Sequence, residues 1–539
     1  MSTTEPSATK RRLILLVLVG SQLLVWIDNT ILGNALEVLA DPTHGLAASP
    51  GQLQWAIGSY TLVFATLMFT AGALGDRYGH RLVLGVGMAV FGASSLWAAY
   101  ASSPGELIAA RAVMGAGSAL VMPATMAVLT WTFQGAARAQ AFALLSSAAG
   151  VGIAIGPVLS GALLSRFWWG SVFLINLPIV ALSLLGIIAL LPEFKPPAAR
   201  ALDLPGLALS VSGLGLLAYG LIRAGQVAAW DRPEVWGTVV AGLALLAAFV
   251  AVELKARQPS FDPRLLARRV FGGGTAGLGL LFLAMTANSF YSAFYLQGAR
   301  GYSPLEAGLL ALPAAVGVMI AAPLANQLVR RTSVRAVTAT ALTVAGLAMG
   351  SWSLVGLTTP IGVLEVLMLI QGSAIGMVIA PVTTAVMGTL PLERAGAGSA
   401  VSNTVRQTGA VLGIALGGTI MSIVYRSSVT PSLAALPAEL RSRALVSAEY
   451  ARSLGDPGVT SAANDAFVHS LHVTTLWTMA AALVGALVLA VLLRPATAPT
   501  PTPGAPATGA TATGATAPEA AAAGATAPSL AAPSPSPRP

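Results

Sequence analysis

Apolar residues gather along this chain in long runs separated by short polar breaks, with few charges inside any run. A helix needs about 20 apolar residues to cross a hydrocarbon core about 30 Å thick. Runs of that kind fall at 13–36, 52–74, 82–101, 106–129, 139–163, 170–191, 203–222, 235–254, 270–296, 304–328, 335–356, 361–388, 396–424 and 471–493. Fourteen such runs predict an all-α polytopic membrane protein. The first is too long for a signal-peptide core and lacks a cleavage site, so it is expected to be retained.

Composition narrows the class. Only 9% of the 539 residues are charged and 55% are hydrophobic, whereas a soluble domain carries about 25% charge. An ordinary soluble enzyme is excluded. Cysteine is absent, which excludes disulfides, thiolate nucleophiles and Cys-held zinc or iron–sulfur clusters. No two of the four His residues lie close together inside an apolar run, so neither a metal site nor a cofactor is expected. The net charge of +9 fits basic loops facing anionic lipid, and no nucleic-acid partner is expected. Just three of the 29 cations are Lys, and with abundant Ala and Gly this Arg bias points to a GC-rich bacterial genome.

Loop cations set the orientation. With the N-terminus inside, 19 Lys and Arg fall on the inner side; the outer side holds eight, Arg166, Arg223, Arg232, Arg300, Arg426, Arg441, Arg443 and Arg452. An N-in, C-in topology follows, as an even span count requires. Residues 1–12 form a polar cytoplasmic tail. Residues 495–539 are Pro, Ala, Thr, Gly and Ser with two charges, a composition that predicts a disordered cytoplasmic tail. The long outer loop at 426–470 has room for a small helical cap around 433–453.

The chain also repeats itself. A shift of 254 residues lays Ser49-Pro50 on Ser303-Pro304, and Arg77 and Arg81 on Arg331 and Arg335. At a shift of 261, Gly152 and Gly156 fall on Gly413 and Gly417. This predicts an N-terminal six-helix bundle at 13–191, a two-helix insert at 203–254 and a C-terminal six-helix bundle at 270–493. Six-span repeats mark transporters that rock two bundles around a midplane site.

Four motifs carry a more specific reading. Between the second and third runs stand Gly72, Gly75, Asp76, Arg77, Gly79, His80 and Arg81. The glycines permit a tight turn, and Asp76 is expected near the start of the third helix, where the dipole favours an anion. The first run holds Trp26, Asp28, Asn29, Thr30, Asn34 and Leu36. The fourth holds Arg111, Gly115, Gly117 and Pro123; the fifth holds Gly150, Gly152, Gly156, Pro157, Ser160 and Gly161. Closely spaced glycines let two helix backbones approach, and a proline removes a backbone hydrogen bond and bends its helix.

Taken together, from about residue 13 to 493, these motifs resemble the fourteen-helix drug:proton antiporters of the major facilitator superfamily. Tyr302 to Gly308 and Asn403 to Gly409 are similar to that family as well. The departures are His80 where a basic residue is usual, Glu37 for Pro, Met114 for Gln and Ser160 for Gly. The resemblance implies the major-facilitator fold. It implies a latch between bundles at Gly72, Gly75, Asp76, Arg77, Gly79 and Arg81, and an antiporter motif at Gly152, Gly156, Pro157 and Gly161.

Charges well inside a span are Asp28, Arg111, Glu365 and Arg406. Each costs at least about 2.5–3.5 kcal/mol at the bilayer centre, so each is a functional candidate. Asp28 and Arg111 sit at similar depth, and the resemblance places their helices side by side. On the residues alone, a structural ion pair and a proton-coupling pair both stand. Glu365 is either a second proton site or a residue at a helix end. Trp26, Asn29, Asn288, Tyr291, Glu365, Gln371 and Arg406 are candidates for a substrate cavity.

The expected function is a proton-coupled antiporter of a bacterial plasma (inner) membrane that expels lipophilic or cationic drugs. Protonation of Asp28 from outside resets the empty carrier. A dedicated exporter of one metabolite, lipid or siderophore is the alternative. A membrane-embedded enzyme fits less well, because the chain has no nucleophile elbow and no phosphate-binding loop, and the resemblance of the fifth run to the antiporter motif argues against a nutrient symporter. Expected partners are a small molecule, protons and the lipid bilayer, with the chain acting as a monomer.

Overall fold

The computed structural model describes residues 7–193, 203–256, 262–390 and 395–493. The two tail expectations, for 1–6 and for 495–539, and the loop residues Lys195, Arg200, Arg257 and Arg394 lie outside the described residues.

The long helices are α1 (Ala8–Ile31), α2 (Pro50–Tyr78), α3 (His80–Ala99), α4 (Pro104–Thr132), α5 (Gly135–Leu164), α6 (Asn176–Leu190) and α7 (Leu204–Val227). They continue as α8 (Pro233–Lys255), α9 (Arg269–Phe294), α10 (Leu312–Arg331), α11 (Val334–Gly350), α12 (Ile361–Met387), α13 (Ala395–Val429) and α14 (Pro457–Leu492). Among the described residues, twelve helices are long and apolar enough to cross a membrane, and a pair bent by 51° within α2 makes a thirteenth. From α5 only the shorter stretch Ile155–Leu164 qualifies as apolar helix.

Their caps explain the boundaries. Ser49 caps α2, and Ser303 caps a short helix, Pro304–Leu310, that leads into α10. Each does so through a capping box, closed by Gln52 in one case and Glu306 in the other, with Pro at the first helical position. The 254-residue repeat is therefore also a repeat of local chemistry.

Packing repeats in the same way. Among α1–α6, α1 packs against α5 and α6, α2 against α4, and α3 against α4. Among α9–α14, α9 packs against α13 and α14, α10 against α12, and α11 against α12. The insert helices α7 and α8 pack on each other, and α7 also lies against α2 and α13.

Two expectations need correction. The last outer loop is shorter than 426–470, because α13 runs on to Val429 and α14 begins at Pro457. The Asp456 carboxylate accepts from the backbone of Gly458 and Val459, and this cap starts the helix well before the apolar stretch does. Within the loop, the cap consists of two short helices, Ala438–Ala444 and Ala448–Ser453. Secondly, Asp76 does not open α3. The chain reverses at Gly79, whose φ of +101° suits glycine, so Asp76 sits in the last turn of α2. His80 Nε2, 3.3 Å from Asp76 Oδ1, relieves the carboxylate at that unfavourable helix end.

Candidate functional site

α1 carries Asp28 on the face that packs toward α4 and α6, and its side chain is fully buried. Arg111, on the second turn of α4, is equally buried. Arg111 Nη1 donates to Asp28 Oδ2 at 2.6 Å. The other carboxylate oxygen, Oδ1, accepts from Asn176 Nδ2 at 3.2 Å.

The guanidinium has further support. Arg111 Nε donates to the Ala56 carbonyl at 3.2 Å, and its carbon lies 4.4 Å from the centre of the Tyr60 ring. Tyr60 is held in turn by donating to Ser118 Oγ at 2.8 Å. Asn176 also donates to Ser95 Oγ at 3.0 Å, and Ser95 donates to the Phe173 carbonyl at 2.8 Å. Burial penalises either charge alone, and the pairing, the hydrogen bonds and the ring face offset that penalty together. Five helices, α1, α2, α3, α4 and α6, thus supply one polar cluster.

Sequence reasoning singled out the ion pair and missed Asn176, Tyr60 and Ser95. A signal for Asn176 existed: it is a lone amide within a strongly apolar run.

Close helix approach at the glycines is also visible. The Thr30 hydroxyl reaches the Gly152 carbonyl at 3.3 Å, and Asn34 Nδ2 donates to the Pro157 carbonyl at 2.9 Å. A Cβ at Gly152 would stand 2.7 Å from Trp26 Cβ, so α1 and α5 touch nearly backbone to backbone. In the second half the Thr286 hydroxyl donates to the Ala410 carbonyl at 3.0 Å, again where α9 meets α13.

Contacts also join the two halves at the end of the helices that carries the cap. A Cβ at Gly161 would stand 2.6 Å from Leu305 Cα. A Cβ at Gly308 would stand 2.9 Å from the Pro157 carbonyl carbon, and Gln297 Nε2 donates to the Asn34 carbonyl at 3.0 Å.

The remaining candidates form no single cluster. Tyr291 donates to Asn288 Oδ1 at 3.0 Å and lies 3.3 Å from the Thr478 hydroxyl, all three buried. Arg406 pairs with Asn403 and lies over the Phe282 ring at 5.4 Å. Gln371 is buried on α12, Glu365 is half-buried near its start, and Trp26 and Asn29 are half-buried on α1. No hydrogen bond or ion pair among the described residues joins any of these seven to Asp28 or Arg111. At the α2–α3 turn, Arg81 Nη2 donates to the Ile188 carbonyl at 2.6 Å, and Arg77 lies over the Tyr78 ring. Among the described residues no three His, Asp or Glu side chains converge as metal ligands would.

Long apolar helices packed around a buried ion pair, with glycine-lined contacts between the halves, make this a multi-pass membrane protein, and its relatives make it a transporter rather than an enzyme. The chain belongs to the Major Facilitator Superfamily, whose profile matches residues 18–414. It is 32% identical over 411 residues to the puromycin resistance protein pur8 of Streptomyces alboniger, covering 75% of this chain and 81% of that one. It is 36% identical over 406 residues to the cephamycin export protein CmcT of Amycolatopsis lactamdurans, covering 73% and 81%. It is also 31% identical over 451 residues to the methyl viologen resistance protein SmvA of Salmonella typhimurium, covering 82% and 88%. Among solved structures, an inward-facing bacterial homologue of the human lysosomal transporter Spinster superposes with a TM-score of 0.62. It has 16% identity and covers 92% of this chain and 100% of that one, a likeness of fold.

Proposed function

We propose that this chain is a fourteen-helix, N-in, C-in antiporter of a bacterial plasma membrane that exchanges protons for lipophilic or cationic drugs. In this reading Asp28 is the proton carrier and Arg111 its electrostatic partner. The observation that carries it is the buried Asp28–Arg111 contact at 2.6 Å. The family relationship, and relatives named for resistance to puromycin and methyl viologen, support the drug substrate.

The surroundings of the pair are compatible with a proton-carrying role. When Asp28 takes a proton on Oδ2, Arg111 loses that acceptor but keeps the Ala56 carbonyl and the Tyr60 ring. Asn176 keeps its bond to Oδ1. Both protonation states therefore have hydrogen-bond partners, although with Asp28 neutral the Arg111 charge rests on a carbonyl and a ring face alone. A proton arriving from outside neutralises Asp28 and lets the empty carrier return. Facing inward, the carboxylate gives the proton up and favours a cationic or polar substrate in the cavity between the halves. Exchange of one proton for one monovalent cation moves no net charge, and each pH unit then supplies about 1.4 kcal/mol, a tenfold gradient. For a neutral substrate the membrane potential adds about 2.3 kcal/mol per 100 mV.

The test is proton release from proteoliposomes holding a trapped pH dye, on addition of puromycin, methyl viologen or ethidium. The native chain is expected to release protons as drug enters the exchange. Asp28→Asn, whose amide stands in for the protonated acid, is expected to lower the rate at least about tenfold. Native release in Asp28→Asn would refute the role given to Asp28. A second reading is dedicated export of one compound; the likeness to an exporter named for cephamycin favours it. A response to a single compound across a drug panel would decide for that reading.

A further inference from the structure

A second cluster of charge, half-buried, lies outside the Asp28 site, where the cap meets the chain beyond the first helix. Beyond α1 the chain passes through a 3₁₀ turn, Leu32–Ala35, and a short helix, Leu36–Ala40, that carries Glu37. Arg452, on the second cap helix, brings Nη1 to 3.4 Å from Glu37 Oε1. The same Nη1 lies 3.4 Å from Glu449 Oε1, one turn earlier on the cap helix. Two carboxylates from the two halves of the molecule thus share one guanidinium nitrogen.

One cation faces two carboxylates here, and its Nη2 is buried without an acceptor. Arg452 Nε is taken by Asn464 Oδ1 of α14 at 2.9 Å, and its face lies over the Phe467 ring at 5.6 Å. Glu449 Oε2 accepts from the Ser447 hydroxyl at 2.9 Å. Glu37 Oε2 is buried without a hydrogen-bond donor, although the Glu449 carboxyl is in direct contact with Glu37.

Other charges nearby do not help. Asp41, just past the short helix, adds negative charge on the Glu37 side. Partial burial pushes the Asp41 carboxyl up, but hydrogen bonds from Thr43 and His44 outweigh it and hold the group below its usual range. Tyr425 of α13 faces Glu449 and Arg452 and donates its hydroxyl to the Ala444 carbonyl at 3.1 Å. Arg300 is engaged elsewhere, with the carbonyls of Gly356 and Thr359 and the hydroxyls of Tyr295 and Tyr302. In the π turn Tyr295–Ala299 that follows α9, Gly298 comes so close that a Cβ there would stand 2.5 Å from both Arg452 Nη1 and Glu37 Oε1, and glycine itself brings no counter-charge.

We propose that Glu37 and Glu449 form a proton-binding clasp that takes up one proton when the cap closes on the end of α1 and releases it when the cap lifts. A proton between the two carboxyl groups gives Glu37 Oε2 its missing partner. It also leaves one carboxylate against one guanidinium, the arrangement that a site of low dielectric favours. With the cap lifted, each carboxyl meets water and holds a proton no more tightly than an ordinary Glu. The closed state therefore binds more protons than the open one. Acid favours closure, and raising the pH through the clasp's titration favours opening by up to about tenfold per unit, the linkage of one proton. This site owes nothing to the titration of Asp28 and requires no transported substrate.

The absence of native cysteine makes the test clean. Spin labels are placed at Ser102→Cys, just before α4, and Ser442→Cys, on the first cap helix, and inter-label distances are measured by pulsed electron resonance. The full chain is reconstituted in nanodiscs without drug, and the Asp28→Asn background removes that carboxyl from the titration. The short, closed distance is expected to lose population as pH rises from about 5 to about 8. Adding Glu37→Gln, or in a separate chain Glu449→Gln, is expected to hold the closed population high and flatten the profile. A flat profile in the Asp28→Asn chain overturns the proposal. So does a profile that neither Gln substitution alters. Loss of drug-driven proton release in Asp28→Asn, with the cap profile intact, separates the two sites.

Discussion

Replacing Arg111 with Ala is expected to destabilise the first half of the molecule more than any other single change at the ion pair. It strands the Asp28 carboxylate, fully buried, with only the Asn176 amide as donor. Removing one partner of a buried pair costs about 3–5 kcal/mol. A lower melting temperature in detergent and a smaller monodisperse peak on size exclusion are the expected readouts. Asp28→Asn is expected to cost less, because Arg111 retains the Ala56 carbonyl and the Tyr60 ring. The double change Asp28→Asn with Arg111→Ala is expected to recover part of the loss, since no charge is then left unpaired. Equal melting of Arg111→Ala and the native chain would show that the pair contributes nothing to the fold. The comparison also separates stability from coupling, because Asp28→Asn is expected to melt closer to the native temperature than Arg111→Ala while failing in proton exchange.

The second large effect concerns the contact between halves. Gly161→Val is expected to abolish transport while sparing each half. The new Cβ would meet Leu305 Cα at 2.6 Å and the Pro304 backbone, and these are main-chain atoms with no rotamer to give way. Overpacking of this kind costs about 1–3 kcal/mol. Because the clash lies across the halves, the cost falls on the state in which they meet at the cap end. That state would lose about fivefold to over a hundredfold in population. A cysteine placed at Ala307, which is 1% exposed, reports the outcome. It is expected to react slowly with a maleimide in the native background and quickly beside Gly161→Val. Slow labelling in both, with transport intact, would count against the contact as a working part.

Much of this architecture could be read in the sequence, for physical reasons that also mark where the reading stopped. Hydrocarbon thickness imposes a length on every span, so apolar runs locate helices well. Caps set the ends, and a hydropathy window does not weigh caps. That is why α14 begins at Pro457 rather than 471: the Asp456-Pro457 signal lay in a polar stretch. Asp76 was misplaced for a similar reason. Both Gly75 and Gly79 suit a turn, and only the backbone shows that the reversal falls at the second. Asp28 and Arg111 stood out because charge in an apolar run is rare. Asn176 was legible as a lone amide in an apolar run, whereas Tyr60 blends into its helix and gains meaning only when a charge is placed beside it. The Glu37–Arg452 contact joins positions 415 residues apart. No local pattern announces it, although Glu37 was already visible as a departure from the family's Pro.

The position of the insert helix α7 has a consequence for how molecules dissolved in the bilayer reach the protein. Leu214 and Ala218 of α7 pack with Leu62 of α2 and Val411 of α13, and the Thr419 hydroxyl donates to the Leu221 carbonyl at 2.6 Å. The groove where α2 meets α13 is thus roofed along its length. On the other flank, α5 meets α10 and the helix before it with exposed apolar side chains, Ile155, Leu309 and Ile320 among them. Molecules dissolved in the lipid therefore meet α7 on one flank and the exposed side chains of α5 and α10 on the other.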